Sequence, residues 1–275
     1  MKIGVIGVGV VGSAVLYGFL KRGVEAFGYD IGKPEFNRLN QVLKSDVVFV
    51  CVPTPSYEIG GQDLSAIHSV MKQLTEASYQ GVVAIKSTTL PGTVNEIQSV
   101  YPKLRICHQP EFLRAAKAQE DFDTQVCAYV GGLAGEPVVE AYKRIGVASF
   151  VYPSPISTEI LKYMNNCFLA VHVAFMNEMY DVCEKCGVEF DPIVQGALLL
   201  GKIAESHSKV PGPDGKRGFS GMCFIKDTTA LLHKFGGLNT IAGAVASNRQ
   251  HRPTAYDGSE NVGVIKKPGG SDSPG

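Results

Sequence analysis

The sequence has no surplus of charge of either sign. Its 26 Lys and Arg stand against 26 Asp and Glu, and charged residues make up only 19% of the 275. A nucleic-acid groove or an acidic membrane surface would favour a basic excess, so neither is expected as a partner. No run of about 18 consecutive apolar residues occurs, so no membrane-spanning helix is expected. The opening MKIGVIGVG holds one lysine and a short apolar stretch without a small-residue cleavage site, which does not fit a secretory signal. A disulfide pattern is missing too: the seven cysteines (51, 107, 127, 167, 183, 186 and 223) are odd in number and scattered through apolar surroundings. Such usage suits reduced thiols in a cytoplasm. What is present is 45% hydrophobic residues, enough to give one large domain or two modest ones a core.

Short β-branched runs alternate with helical patterns through the first half. KIGVIG, VEAFGYD, DVVFVCV, GVVAIKS and LRICHQ read as strands. VGSAVLYGFLKRG and DLSAIHSVMKQLTEAS read as helices, the second with Asp63 as its N-cap. Near-continuous apolar strands separated by helices imply βαβ units and a Rossmann-like, doubly wound parallel sheet. Gly7, Gly9 and Gly12 form G-V-G-V-V-G between the first strand and the first helix. There Gly7 permits the tight turn, Gly9 admits a pyrophosphate to the backbone, and Gly12 lets helix pack on sheet. Asp30 closes the second strand, where its carboxylate would accept ribose hydroxyls and repel the extra phosphate of NADP. NAD is the cofactor expected. Thr54, Thr88 and Glu111 fall in loops at the carboxyl ends of strands, where ligands of such sheets are held.

The second half opens with PISTEILKYMNNCFLAVHVAFMNEMYDVCEKCG, residues 155–187, free of internal proline and glycine. It reads as one helix of more than 40 Å, capped by Ser157 or Ser154 and ended by Gly187. Its apolar circumference suggests burial against a second subunit. Lys162 and Asn166, four apart, share one face. Cys183 and Cys186 lack further ligands at metal spacing and read as two buried core thiols, and His172 as a packed helix residue. A Gly- and Pro-rich loop then leads to GFSGMCFIKD. Here Cys223 stands near a helix start beside Lys226 and Asp227, a setting that favours a nucleophilic thiol. Residues 251–275 read as a flexible tail. The expected division is a nucleotide-binding domain over 1–153, an all-helical domain carrying the long helix and the thiol loop over 154–250, and the tail.

GVGVVG, PTP, KSTTLPGT, PEFLR, EILKYMNN, NEM and GFSGMCFIKD, in that order, resemble the UDP-glucose/GDP-mannose 6-dehydrogenases almost from end to end. The resemblance implies a twofold oxidation of a nucleotide sugar's primary alcohol to a carboxylate with two NAD. It implies that Cys223 carries a thiohemiacetal and then a thioester. Lys162 and Asn166 would stabilise oxyanions, and Asp227 and Glu111 would move protons. Gly7, Gly9, Val11, Gly12, Asp30, Lys33, Thr54, Thr88 and Lys226 would contact NAD. Glu111, Phe112, Leu113, Lys162, Asn166, Gly218, Phe219 and Ser220 would contact the sugar, and the long helix would form a homodimer.

Three departures stand out from the family pattern. Ala115 replaces a glutamate, Ser220 replaces a glycine, and the family's further nucleotide-sugar domain is expected to be absent, which removes remote binding energy. Two other readings follow from the same residues. One is a single two-electron oxidation of a hydroxy acid or alcohol with Cys223 as spectator. The other is a non-catalytic NAD-binding or scaffold protein.

Overall fold

A computed structural model describes residues 1–58, 60–257 and 263–267. The chain forms two compact units, one of residues 1–54 with 64–162 and one of 55–63 with 163–275. The division thus falls inside the long helix rather than at 153, and a short segment of the first half belongs to the second unit.

The first unit opens with β1 (Lys2–Ile6), α1 (Val10–Lys21), β2 (Glu25–Tyr29), α2 (Leu39–Val42) and β3 (Val47–Val50). In chain order β4 (Ser56–Tyr57) comes next and belongs to the second unit. The first unit resumes with α3 (Ser65–Glu76), β5 (Val82–Ile85), α4 (Thr93–Val100) and β6 (Arg105–His108). It closes with α5 (Ala118–Thr124), β7 (Cys127–Gly131), α6 (Glu136–Arg144) and β8 (Ala148–Tyr152), followed by the start of α7 (Pro155–Cys186). The strands make one sheet in the order β2-β1-β3-β5-β6-β7-β8. The expected parallel pairing holds from β2 to β6 and between β7 and β8, but β7 meets β6 antiparallel, so the sheet is mixed. α3 begins at Ser65 with Leu64 before it, so Asp63 is not its cap.

β3 and β5 are buried at every position, because helices cover both faces of the sheet. One face carries Ile3, Val5, Phe19, Phe49, Phe122 and Tyr142. The other carries Ile6, Val48, Val50, Ile67, Met71 and Ile97. Register then fixes what emerges at the carboxyl edge. Ile6 pairs with Tyr29 and Val50, Val50 with Ile85, and Ile85 with His108. Gly7, Asp30, Cys51, Lys86 and Gln109 follow those residues directly and leave the sheet side by side.

The second unit holds most of α7, then α8 (Phe190–Leu199), α9 (Gly221–Phe235), α10 (Asn239–His251) and β9 (Val264–Ile265). At about 1.5 Å per residue the 32 residues of α7 span about 48 Å. Ser154 rather than Ser157 caps it, its hydroxyl accepting the Ile156 N–H at 3.3 Å. The unit is not wholly helical, since β9 pairs in parallel with β4. This also revises the expected tail. Ala255 and Tyr256 lie in a short 3-10 helix, and with Val264 they are buried against Ala170, Ile225 and Val245. Residues 258–262 and 268–275 of that tail lie outside the described residues. No helix among the described residues is long and apolar enough to cross a membrane.

Candidate active site

The glycine motif builds the first part of the site. Gly7 turns with φ of +87°, and a Cβ there would lie 2.8 Å from the Cys51 carbonyl oxygen. A Cβ on Gly12 would meet the Gly7 oxygen at 2.0 Å, so only glycine lets α1 sit this close to the strand end. Around Gly9 nothing lies within 4 Å of the position a Cβ would take. The first turn of α1, which holds Val11, has no side-chain cap and no acidic residue, so no capping side chain takes up its first N–H groups. Asp30 accepts the Val8 N–H on Oδ2 at 2.7 Å and the Gly32 N–H on Oδ1 at 2.9 Å, which orients the carboxylate and leaves further lone pairs. Lys33 Nζ donates to the Val8 carbonyl at 2.6 Å. Thr54 is buried, and its hydroxyl donates to the Thr88 carbonyl at 2.7 Å, tying two of the strand-end loops together. An uncapped helix start, a cradle that a Cβ would fill and a fixed carboxylate suit a dinucleotide.

The same unit holds Glu111 and Lys162. α7 is anchored by Glu159, whose buried carboxylate accepts the Thr89 hydroxyl at 2.8 Å and the Gly92 and Val94 N–H groups at 2.7 and 3.0 Å. Lys162 follows one turn later, and its Nζ donates to the Glu111 carbonyl at 2.7 Å and to Oε1 at 3.0 Å. Both side chains are nearly sealed, 4% and 10% exposed. Burial pushes the Glu111 carboxyl up, but the Lys162 charge and hydrogen bond, the Leu113 N–H and Lys86 together hold it below the usual carboxylate range. Phe112 lies under the Lys162 ammonium at 5.3 Å from its ring centroid. The Leu113 N–H is taken by Glu111 Oε2 at 2.6 Å, and its side chain packs on the core. Ala115 opens an exposed 3-10 turn.

In the second unit Asn166 Nδ2 donates to Asp227 Oδ2 at 2.6 Å. Asp227 is fully buried and also pairs with Lys226, so the ammonium expected near NAD has a carboxylate partner in its own helix. Cys223 is exposed in the first turn of α9, one turn before Asp227 on that helix. Gly218, Phe219 and Ser220 line a cavity of about 630 Å³ together with Asn177, Lys209 and Arg252. Phe219 is a core residue, 2% exposed, so its backbone rather than its ring is held in place for the cavity. Asn248 accepts the Phe219 N–H at 2.7 Å and donates to the Phe219 carbonyl at 3.0 Å, while Asn177 accepts the Gly218 N–H at 3.0 Å. Asn177, Asn248, Lys209 and Arg252 were not expected from the sequence. Asn177 stands in NEM, a matched stretch that carried no role. Of the C-x-x-C pair Cys183 is buried but Cys186 is exposed, so they are not two core thiols. His172 is partly buried and bonds Ser208 at 2.9 Å. Among the described residues no group of three His, Cys, Asp or Glu is placed to hold a metal ion.

Two family models match the chain. Residues 35–145 match the UDP-glucose/GDP-mannose dehydrogenase family, NAD binding domain, and residues 156–250 its central domain. A UDP-glucose 6-dehydrogenase of Rhizobium meliloti is 34% identical over 207 residues, 70% of this chain and 46% of the relative. A GDP-mannose 6-dehydrogenase of Pseudomonas aeruginosa is 27% identical, over 94% of this chain and 70% of its own length. A solved UDP-glucose dehydrogenase from Pyrobaculum islandicum shares the fold, with TM-score 0.79 at 23% identity over 90% of this chain and 68% of that one. The chain spans about half the length of the first curated relatives it matches.

Proposed function

Because the chain belongs to the UDP-glucose/GDP-mannose dehydrogenase family, we propose that it oxidises the primary alcohol of a nucleotide sugar to a carboxylate, using NAD and a thioester on Cys223. The observation that carries this reading lies on α9. An exposed thiol in the first helical turn stands one turn before a buried carboxylate that is fixed by Asn166. A spectator thiol has no need of that setting.

Gly7, Gly9, Val11, Gly12 and Asp30 with Thr54 and Thr88 would hold NAD, which would supply the hydride acceptor for each of the two oxidations. Lys162 and Asn166 offer N–H donors to the oxygen on which negative charge develops. Cys223 Sγ bonds to the carbonyl carbon of the aldehyde as the π pair of the C=O bond moves to its oxygen, the thiol proton passes by way of solvent to that oxygen, and the resulting thiohemiacetal keeps the aldehyde from escaping. After the second oxidation water adds to the thioester, the C–S bond breaks, and the thiol returns as the carboxylate leaves. Asp227 takes the proton of that water, and Glu111 exchanges protons with Lys162 through their 3.0 Å contact. The cavity beside Gly218 and Ser220 offers a place for the sugar nucleotide, with Lys209 as a cation at its wall, while Arg252 there is paired with Asp214 at 2.7 Å.

The apolar stripe of α7, with Met164, Phe168, Phe175 and Val182 between 46% and 65% exposed, supports a homodimer through this helix. The test of the reading is NADH formed per sugar consumed. Two per sugar, falling to one or fewer with release of aldehyde in Cys223→Ser, supports the thioester. Unchanged turnover in Cys223→Ser supports a single two-electron oxidation instead.

A further inference from the structure

Two neighbouring residues in the first turns of α7 reach into the strand-end loops that carry proposed site residues. Glu159 is fully buried. Its Oε1 accepts the Thr89 hydroxyl at 2.8 Å and the Val94 N–H at 3.0 Å, and its Oε2 accepts the Gly92 N–H at 2.7 Å. Thr158, equally buried, meets His108 Nδ1 with its hydroxyl oxygen at 2.8 Å. Thr89 is the chain neighbour of Thr88 in the loop after β5, and His108 ends β6, three residues before Glu111.

These contacts close a ring. Lys162 stands one turn after Glu159, about 4.5 Å further along α7. Its Nζ returns to the β6 loop at the Glu111 carbonyl and Oε1, 2.7 and 3.0 Å away. Glu159 is therefore where the loop of Thr88 meets the helix of Lys162. The far side of that loop is tied as well, since the Ser87 hydroxyl donates to the Val52 carbonyl at 2.6 Å and the Thr54 hydroxyl to the Thr88 carbonyl at 2.7 Å. α4 has no cap from a side chain of its own N-cap residue, Gly92, so the Glu159 carboxyl takes up N–H groups at its start instead. With no exposed surface, Glu159 can affect the reaction only through what it holds.

We propose that Glu159 is a positioning residue: by clamping the loop of Thr88 to α7, it sets where the Lys162 ammonium stands relative to Glu111 and to the reacting oxygen. This rests on the reading of Lys162 as an oxyanion donor. A helix start that slides on its loop carries Lys162 with it, and a misplacement of about 1 Å at a reacting centre can cost on the order of a hundredfold in rate. The same clamp joins the NAD-side loop and the lysine into one body, so a loss at Glu159 reaches both.

The experiment uses the full chain. Thr89→Val keeps the shape of the side chain without its hydroxyl, Thr89→Ser keeps the hydroxyl, and Glu159→Gln keeps the length while replacing one acceptor by a donor. The first readout is kcat and KM with NAD and a nucleotide sugar that turns over, at a temperature where every variant is folded by circular dichroism. Thr89→Val and Glu159→Gln are expected to lower kcat by about tenfold with the sugar KM near its wild-type value, and Thr89→Ser to keep kcat within about twofold of wild type. The second readout needs no turnover: the urea midpoint of Glu159→Gln in wild-type and Lys162→Met backgrounds. The loss is expected to be smaller when Lys162 is methionine, because the Glu111 contact that depends on the clamp is already gone. If Glu159→Gln does not fold, Thr89→Val takes its place in the same cycle. Unchanged kcat in Thr89→Val, equal kcat in Thr89→Val and Thr89→Ser, or the same midpoint loss in both backgrounds would show that Glu159 only caps α4. Absence of turnover in the wild type counts against the proposed activity, and the stability cycle still decides the role of Glu159.

Discussion

Glutamine in place of Glu111 keeps the shape of the side chain but removes the anion from the buried Lys162 contact. We expect such a change to lower stability by about 3 kcal/mol, read from urea unfolding at pH 7, because an ammonium is left desolvated beside a neutral amide. The wild-type carboxyl lies below its ordinary value of 4.5, so its contribution is fully present above that pH and is lost as the pH falls through the depressed folded value. Glu111→Gln should remove that segment of the acid unfolding profile. Several residues of this site were legible from local order alone. Asp30 closes a strand after a glycine motif, Lys162 and Asn166 are one helical turn apart, and Cys223 follows a glycine-rich stretch. Lys86, Asn177 and Asn248 were not, because their partners lie 23, 41 and 29 residues away in sequence. A lysine after a strand or an asparagine on a helix looks the same whether it faces solvent or closes a buried network.

At the scale of elements, α7 was the easiest to foresee and β9 the hardest. Thirty-two residues without internal proline or glycine have no other regular form to adopt, whereas a two-residue strand has no periodicity to read. Its pairing with β4 and the burial of Val264 come from tertiary packing, which turns part of an expected flexible tail into core. The same packing rests on Asn248, which bonds both backbone groups of Phe219 and the Tyr256 hydroxyl at 2.9 Å. Asn248→Ala leaves those groups unsatisfied in a buried place, so we expect a loss of about 2 kcal/mol in thermal or urea unfolding and a higher KM for the sugar nucleotide, since the Gly218–Ser220 backbone loosens. On the exposed stripe of α7, Phe168 is 65% exposed in the single chain. Phe168→Asp should leave the folding of that chain nearly unchanged and shift a dimer toward monomer in sedimentation at micromolar concentration. An unchanged dimer would place the interface elsewhere.

The whole molecule divides its proposed chemistry between two units. One holds the dinucleotide cradle, Glu111 and Lys162, and the other holds Asn166, Asp227 and Cys223. A single helix supplies a residue to each, since the boundary between the units runs within α7 rather than before it at 153. The mixed sheet was not foreseen either. Alternating strands and helices do not reveal the direction of β7, which is set by how the chain returns after α5. The parallel core from β2 to β6 and the family motifs at its carboxyl edge were nonetheless readable, since both repeat with local spacing. The most direct test of the central claim is the ratio of NADH formed to sugar consumed, measured with the purified chain, NAD and UDP-glucose or GDP-mannose. The thioester account predicts two NADH per sugar and a uronate product for the nucleotide sugar it accepts. One NADH per sugar with accumulating aldehyde, or no NADH from either sugar while NAD still binds, would contradict it.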